Sequence, residues 1–330
     1  MLNDIATFVR EMPVKQYLAG GLWSTREPTI VFFFGPERIE ALVAGMRGGV
    51  GYERSLEKDN DAPPLATGQS SPATTGAGRL SRKLTSRYRL AKNVKHIFVV
   101  DADKKDRFFD VTTLERLRQK SVSAALEEMH ENPQQIFGSW PDQTPFRWGI
   151  VSREISLGID VSPRIDEPVL TFGMADELCA CFESWSETQG ASIAAILPLP
   201  VAVLAWCNAN LATKDRDSLV VVATDQGAVS AAFKRRNLIY ISQEESGSDA
   251  FIALEREADG LELEQPARYL WAINDHHPED RRAIPGELLI IDEENIQGIS
   301  GQSLALQEGH GKKTKHDRPV AHLLNWLAGQ

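Results

Sequence analysis

A strand–glycine turn–strand unit occurs twice in this 330-residue chain, and that repetition constrains the fold more than any single motif. The first copy is Thr29–Phe34, a turn at Gly35-Pro36, and the return strand Ile39–Val43. The second is Ser218–Ala223, a turn at Asp225-Gln226-Gly227, the strand Val229–Phe233 and then Asn237–Ile241. Each opens with a strongly apolar strand and returns after a glycine. Glycine there supplies the positive φ of a tight turn and lets a ligand approach the backbone. One unit repeated at long spacing predicts two related lobes facing a cleft, a natural place for a nucleotide or a partner segment.

The copies differ in one chemically decisive residue. The second keeps an acid before its glycine, Asp225-x-Gly227; the first has Phe33-Phe34-Gly35, with Phe33 where the matching acid would stand. A Mg-nucleotide site built on two hairpins wants a carboxylate from each side, to ligate the metal or orient water. Phenylalanine does neither, so the pattern predicts a nucleotide-binding architecture with half of its chemistry missing.

The length suggests about two domains. An apolar content of 42% with 25% charged residues is that of an ordinary globular protein. The net charge of −10 argues against general nucleic-acid binding. Cys179, Cys181 and Cys207 form no CxxC pair; they read as buried small hydrophobes in a reducing cytoplasm. The longest apolar run, Ala191–Cys207, is broken by Pro198 and Pro200 and is too short to span a bilayer. The opening residues carry Asp4 and Glu11 without a basic stretch, unlike a signal peptide, and Leu2, Ile5, Phe8 and Val9 suggest a short docked helix.

Several further elements follow from pattern. Residues 58–78 are rich in Pro, Gly, Ser and Thr and read as a mobile loop. Arg79–Lys95 holds seven basic residues and no acid, with Leu80, Leu84, Tyr88 and Ala91 at helical spacing. Its charged face suits anionic lipid or an acidic partner, or is simply solvated. Val94–Val100 reads as a buried strand and Val111–His130 as a helix capped by Thr112 or Thr113. Phe146–Ser152 and Ile155–Val161 read as an antiparallel pair, and Val169–Phe172 as a short strand. Ala175–Thr188 is a helix closed by Gly190, Ala191–Leu197 a strand, and Pro200 starts a helix to Asn208. Helix Ala250–Asp259, strands Tyr269–Ile273 and Glu287–Asp292, and helix His322–Ala328 complete an α/β chain.

Among chemical candidates, Asp101-Ala102-Asp103 after a strand has the form of a metal-binding pair that holds a sugar nucleotide, or of a solvated turn. His276-His277-Pro278-Glu279-Asp280 reads as a surface turn, and Glu308–Asp317 (EGHGKKTKHD) as a basic loop without Walker spacing. There is no G-x-S-x-G elbow and no G-x-G-x-x-G after a strand. Asp225-Gln226-Gly227 stands in the strand–turn–strand setting that phosphate contact requires.

The order of these elements resembles the actin-like ATPase fold, in the form of the type IV pilus assembly protein PilM and its type II secretion relative GspL. The resemblance rests on Thr29–Val43 as a first phosphate hairpin and Ile97–Met129 as an inserted small subdomain. It rests also on Glu177–Asn210 as a helix–Gly–strand–Pro–helix passage and Val220–Ile241 as the second phosphate hairpin. It implies an α/β, actin-like (ribonuclease H-like) two-lobed fold with a small inserted subdomain, over 1–93 and 166–215 (first lobe), 94–165 (insert) and 216–330 (second lobe). Only 90 residues follow Tyr240, which implies a reduced second lobe. By this resemblance Asp225, Gly227 and Gly35 are the residues for ATP and Mg, although Phe33 and the lack of a lysine after Gly35 speak for no cofactor at all. The implied function is a cytoplasmic scaffold, peripheral to the inner membrane. It would hold the cytoplasmic tail of a single-pass pilus or secretion protein, with self-association and lipid contact through 79–95 left open. A working Mg-ATPase, and a sugar-nucleotide enzyme using Asp101 and Asp103, remain the alternatives.

Overall fold

The structure, a computed structural model, describes residues 28–36, 38–44, 51–56, 76–88, 94–113, 124, 127, 128, 131, 146–153, 155, 168–211, 216–224, 226–272, 288–291, 304–307, 313–316 and 319–328. In chain order the described elements are β1 (Thr29–Phe34), β2 (Arg38–Ala44), β3 (Gly51–Leu56), α1 (Gly76–Tyr88), β4 (Lys95–Val100), β5 (Arg107–Thr113), β6 (Phe146–Ser152), β7 (Pro168–Ala175), α2 (Asp176–Thr188), β8 (Ser192–Pro198) and α3 (Leu199–Asn210). They continue with β9 (Ser218–Thr224), β10 (Gly227–Lys234), β11 (Asn237–Glu244), α4 (Gly247–Gly260), β12 (Ala267–Ala272), β13 (Leu288–Ile291), β14 (Leu304–Gln307), β15 (Lys313–His316) and α5 (Pro319–Ala328). The chain forms two compact units: residues 22–102, 176–202 and 291–330 make the first, and 1–21, 103–175 and 203–290 the second.

The first unit is built on a seven-stranded sheet ordered β15-β14-β3-β2-β1-β4-β8. β1, β2 and β3 are an antiparallel meander, and β4 and β8 run parallel to β1. β1 (TIVFFF) and β4 (KHIFVV) are buried on both faces after their first residue, the pattern of central strands covered by helices. One face carries an aromatic cluster: Phe98 stacks on Phe182 of α2 at 4.7 Å, and Phe34 meets Phe182 edge-on at 4.9 Å. Within it His96 lies flat on Trp185 (5.2 Å), with Nδ1 3.1 Å from Ser186 Oγ. Burial lowers the His96 pKa to about 4, because the imidazolium would lose its hydration. α5 packs on β1 and β2, and α1 on β2 and β3.

The second unit repeats the same plan. Its five-stranded sheet is ordered β11-β10-β9-β12-β13, with β9, β10 and β11 antiparallel and β12 parallel to β9. The meander's third, second and first strands followed by two more is the order of β3-β2-β1-β4-β8 as well. α4 lays Ala250, Phe251, Leu254 and Ala258 against Leu219, Val221, Ala232 and Leu270. The β10–β11 turn places Arg235 and Arg236 at φ 50° and 73°, as a type I′ hairpin demands. The buried Asp217 carboxylate pins it, accepting from Arg235 N (3.1 Å) and Glu264 N (2.8 Å). A three-stranded antiparallel sheet, β5-β7-β6, belongs to the same unit, and β11 packs against β5 and β7. At its centre Gly173 admits the Phe108 ring: a Cβ there would collide with that ring and lie 2.9 Å from Arg147 O.

The structure departs from several expectations. β5 runs to Thr113, so Thr112 and Thr113 are strand residues rather than helix caps; their β-branched side chains suit either role, and pairing with β7 decides. β6 pairs with β7; Ile155 has φ 45° in a turn, and the rest of the expected partner strand, 156–161, lies outside the described residues. Residues 76–78 open α1 instead of ending a loop, and 58–75 lie outside the described residues. β4 joins the first sheet, and the small sheet extends through β7 and groups with the second unit. The second sheet has all five strands, and the shortness after Tyr240 shows in the four-residue β13 and in a chain that returns to the first unit as β14, β15 and α5. The expected N-terminal helix lies outside the described residues.

Candidate functional site

The first hairpin closes tightly, Gly35 N donating to Arg38 O at 2.9 Å. Phe33, the residue in the acid's place, is 1% exposed. Its ring edge lies 3.0 Å from where a Cβ on Gly35 would be, so glycine here makes room for the aromatic side chain. The Arg38 guanidinium stands over the same ring at 5.7 Å and binds Glu40 through Nε–Oε1 at 2.9 Å. Glu40 is fully buried and pairs with Phe33 across the two strands. A Phe–Arg–Glu cluster thus stands where a lone carboxylate was expected. The guanidinium pairs with the Glu40 carboxylate, and stacking on the ring holds the cation.

The second hairpin is fastened differently. Gly227 has φ +103°, and a Cβ on it would lie 2.9 Å from Glu244 O, so glycine is required both by conformation and by space. Thr224 Oγ1 accepts from Gln226 N (3.1 Å) and donates to Gly227 O (3.2 Å). The Gln226 carbonyl accepts from Nη2 of Arg107 at 3.2 Å, and Arg107 Nε donates to Gln243 Oε1 at 3.4 Å. Arg107 opens β5 and is 2% exposed. The small sheet therefore reaches the second turn with a buried guanidinium. Asp225 lies outside the described residues.

The remaining candidates separate by environment. Asp101 ends β4 and is 1% exposed, its N–H donating to Phe34 O at 2.8 Å. Asp103 is exposed; it caps a short 3₁₀ turn, accepting from Lys105 N, and its carboxylate pairs with Lys105 Nζ at 3.7 Å. Cys179 and Cys207 are buried and Cys181 is half-buried, all as free thiols. Burial raises the Cys207 pKa far above its ordinary value, and burial with the Glu177 charge raises that of Cys181, so neither is a thiolate at neutral pH. Among the described residues no group of three or more His, Cys, Asp or Glu gathers to hold a metal. In α1, Gly78, Leu80, Ser81 and Leu84 are buried while Arg82 and Lys83 are exposed. His276-His277 and His310 lie outside the described residues.

Sequence reasoning missed Glu40, Arg38 and Arg107. An acid inside the apolar run RIEALVA was the available signal for the first two. Nothing local marks Arg107, whose partner Gln226 is 119 residues away.

Two sheets with one repeated strand order, each opened by a hairpin meander, together with a small sheet inserted in the chain, define an actin-like α/β protein. Among solved structures the chain is similar to a chain of a PilM–PilN type IV pilus biogenesis complex. The TM-score is 0.54 at 10% identity, over 81% of this chain and 89% of that one. It also aligns with a Bacteroides thetaiotaomicron protein of actin-like ATPase fold and unknown function (TM-score 0.44, 10% identity, 91% and 96% covered). A third is the cytoplasmic domain of EpsL, an inner-membrane component of the Vibrio cholerae type II secretion system (TM-score 0.42, 12% identity, 92% and 94% covered). No protein-family model and no curated protein matches the sequence. Among the described residues no helix is long and apolar enough to cross a membrane.

Proposed function

We propose that this protein is an actin-like scaffold of a pilus or secretion assembly platform, one that holds the cytoplasmic tail of a membrane partner and turns over ATP poorly or not at all. It would work in the cytoplasm at the inner membrane. The observation that carries the reading is the first hairpin. Phe33 stands where a catalytic carboxylate belongs, buried under Arg38, and the nearby acid Glu40 is consumed by the same arginine. A phosphoryl-transfer site of this form needs an oxygen ligand on that side. The likeness in fold to a chain of a complex named for PilM and PilN supports a tail-binding role over a catalytic one. Affinity would come from an extended peptide adding to a strand edge or filling apolar pockets.

The alternative is a protein that still binds Mg-ATP through the second hairpin. The Asp225-x-Gly227 turn between two strands favours it, with Gly227 at φ +103°. One calorimetric experiment separates the two. The protein and Asp225→Ala are titrated with Mg-ATP, and then with peptides of the short basic cytoplasmic tails of single-pass membrane proteins encoded beside it. The scaffold reading expects no saturable nucleotide binding and micromolar binding of one tail. Nucleotide binding that Asp225→Ala abolishes, with steady hydrolysis, would overturn it. Metal-dependent sugar-nucleotide binding that survives Asp225→Ala would point instead to Asp101 and Asp103.

A further inference from the structure

The second turn is held from outside its own hairpin. Gln226 O accepts from Arg107 Nη2, and Gln243 Oε1 on β11 accepts from Arg107 Nε, so one guanidinium at the start of β5 bridges the turn and the strand after it. The same guanidinium lies over the Phe109 ring at 6.0 Å. Gly227 leaves no slack beside it: the place of a Cβ there is 4.0 Å from Arg107 Nη2 and 2.9 Å from Glu244 O. All of these residues belong to the second unit. Lys104 adds an ion pair to Glu245 at 2.7 Å, but the Glu245 side chain is 82% exposed and water screens the pair. The buried arginine therefore carries the contact. Two sheets that only had to cohere would meet through apolar side chains, since a buried guanidinium gives up hydration that its partners must replace.

We propose that Arg107 is a latch through which the small sheet sets the freedom of the second turn. While β5 keeps its place against β11, the guanidinium holds the Gln226 carbonyl and the turn is closed. A displacement of β5 withdraws both prongs at once and releases it. A partner that shifts β5 and a ligand that binds the turn would then change each other's affinity by the same factor. The proposal goes beyond the scaffold reading, which gives Arg107 no role. Its test uses neither a nucleotide nor a tail peptide, so each can fail without the other.

The test is amide hydrogen exchange, read by mass spectrometry, on the whole chain as wild type, Gly173→Ala, Arg107→Met and the double variant. Gly173→Ala disturbs the small sheet from the face away from the turn. Phe108, which pairs with Gly173 and would meet the new methyl, is next to Arg107 on β5 and points to the opposite face. Peptides over 224–230 report the turn, and peptides in α4 report the unit as a whole. Arg107→Met should speed exchange at the turn about tenfold or more relative to α4, the factor that one hydrogen bond from a charged donor is worth. Gly173→Ala should also speed the turn relative to α4, and should add nothing once Arg107 is replaced. Effects that multiply in the double variant would overturn the proposal, because sheet and turn would then be independent. So would a turn indifferent to Gly173→Ala while peptides of β5 and β7 respond. Should Arg107→Met fail to fold, Arg107→Lys takes its place with the same expectations, since lysine keeps the charge but lacks the fork that bridges two oxygens.

Discussion

Acidification should loosen the first unit through one residue. His96 is neutral in the folded state, with a pKa lowered by burial to about 4 from 6.5. Once unfolded, the same imidazole takes up a proton as the pH drops below about 6.5. Between those two values the unfolded chain binds about one proton more than the folded one, so stability falls as pH falls. The contribution is complete above the unfolded value and fully lost below the folded one. The whole shift corresponds to about 3 kcal/mol, of which about 2 kcal/mol is already lost near pH 5. His96→Gln removes the titration; it also removes the stack on Trp185, at a cost that does not depend on pH. The assay is urea unfolding at about pH 7.5 and about pH 5, with amide hydrogens pulse-labelled at a common pH and read by mass spectrometry on peptides covering β1, β4 and β8. Carboxylates elsewhere titrate in both proteins and cancel in the difference. The wild-type transition should lose about 2 kcal/mol more than that of the variant over this interval. Equal losses would refute the reasoning, because they would mean that His96 is protonated in place or that its site is wet.

Two perturbations test the packing that shapes the hairpins. Arg38→Met leaves the fully buried Glu40 without its guanidinium and should cost about 3–5 kcal/mol, whereas Arg38→Met/Glu40→Leu should recover most of it; urea unfolding of the three proteins decides, and a double variant no better than the single one would show that the ion pair is not the issue. Gly173→Ala drives a methyl into the Phe108 ring and should lower stability by about 1–3 kcal/mol, an effect that Phe108→Leu relieves in part, as read from thermal melts; additive losses would mean that the two residues do not compete for space.

The repeated unit was legible because its signals are local. Apolar runs such as TIVFFF and LVVVA, a turn glycine and a return strand lie within about twenty residues each, and the observed meanders follow them closely. What the sequence hid is long-range pairing. The contact of Gln307 with Gly51 that returns the chain's end to the first sheet leaves no mark on either segment. Val111–Thr113 carried a strand and a capping signal at once, and the partner β7, more than fifty residues on, decided between them.

The site divides along the same line. The missing acid at Phe33 could be read, since one hairpin could be laid over the other. What replaced its chemistry could not. Arg38, Glu40 and Phe33 form their cluster across a strand pair, and Arg107 reaches Gln226 from another sheet. Both turns nevertheless share a physical consequence. Gly35 N is spent on Arg38 O, and Gln226 N on Thr224 Oγ1. An anion that binds either of these two amides must displace a hydrogen bond worth about 1 kcal/mol before it gains one. At the first turn Phe33 offers it no carboxylate with which to share a metal. A turn amide already bonded within the protein is a poorer phosphate donor than a free one, and that is the physical argument behind the proposed scaffold reading.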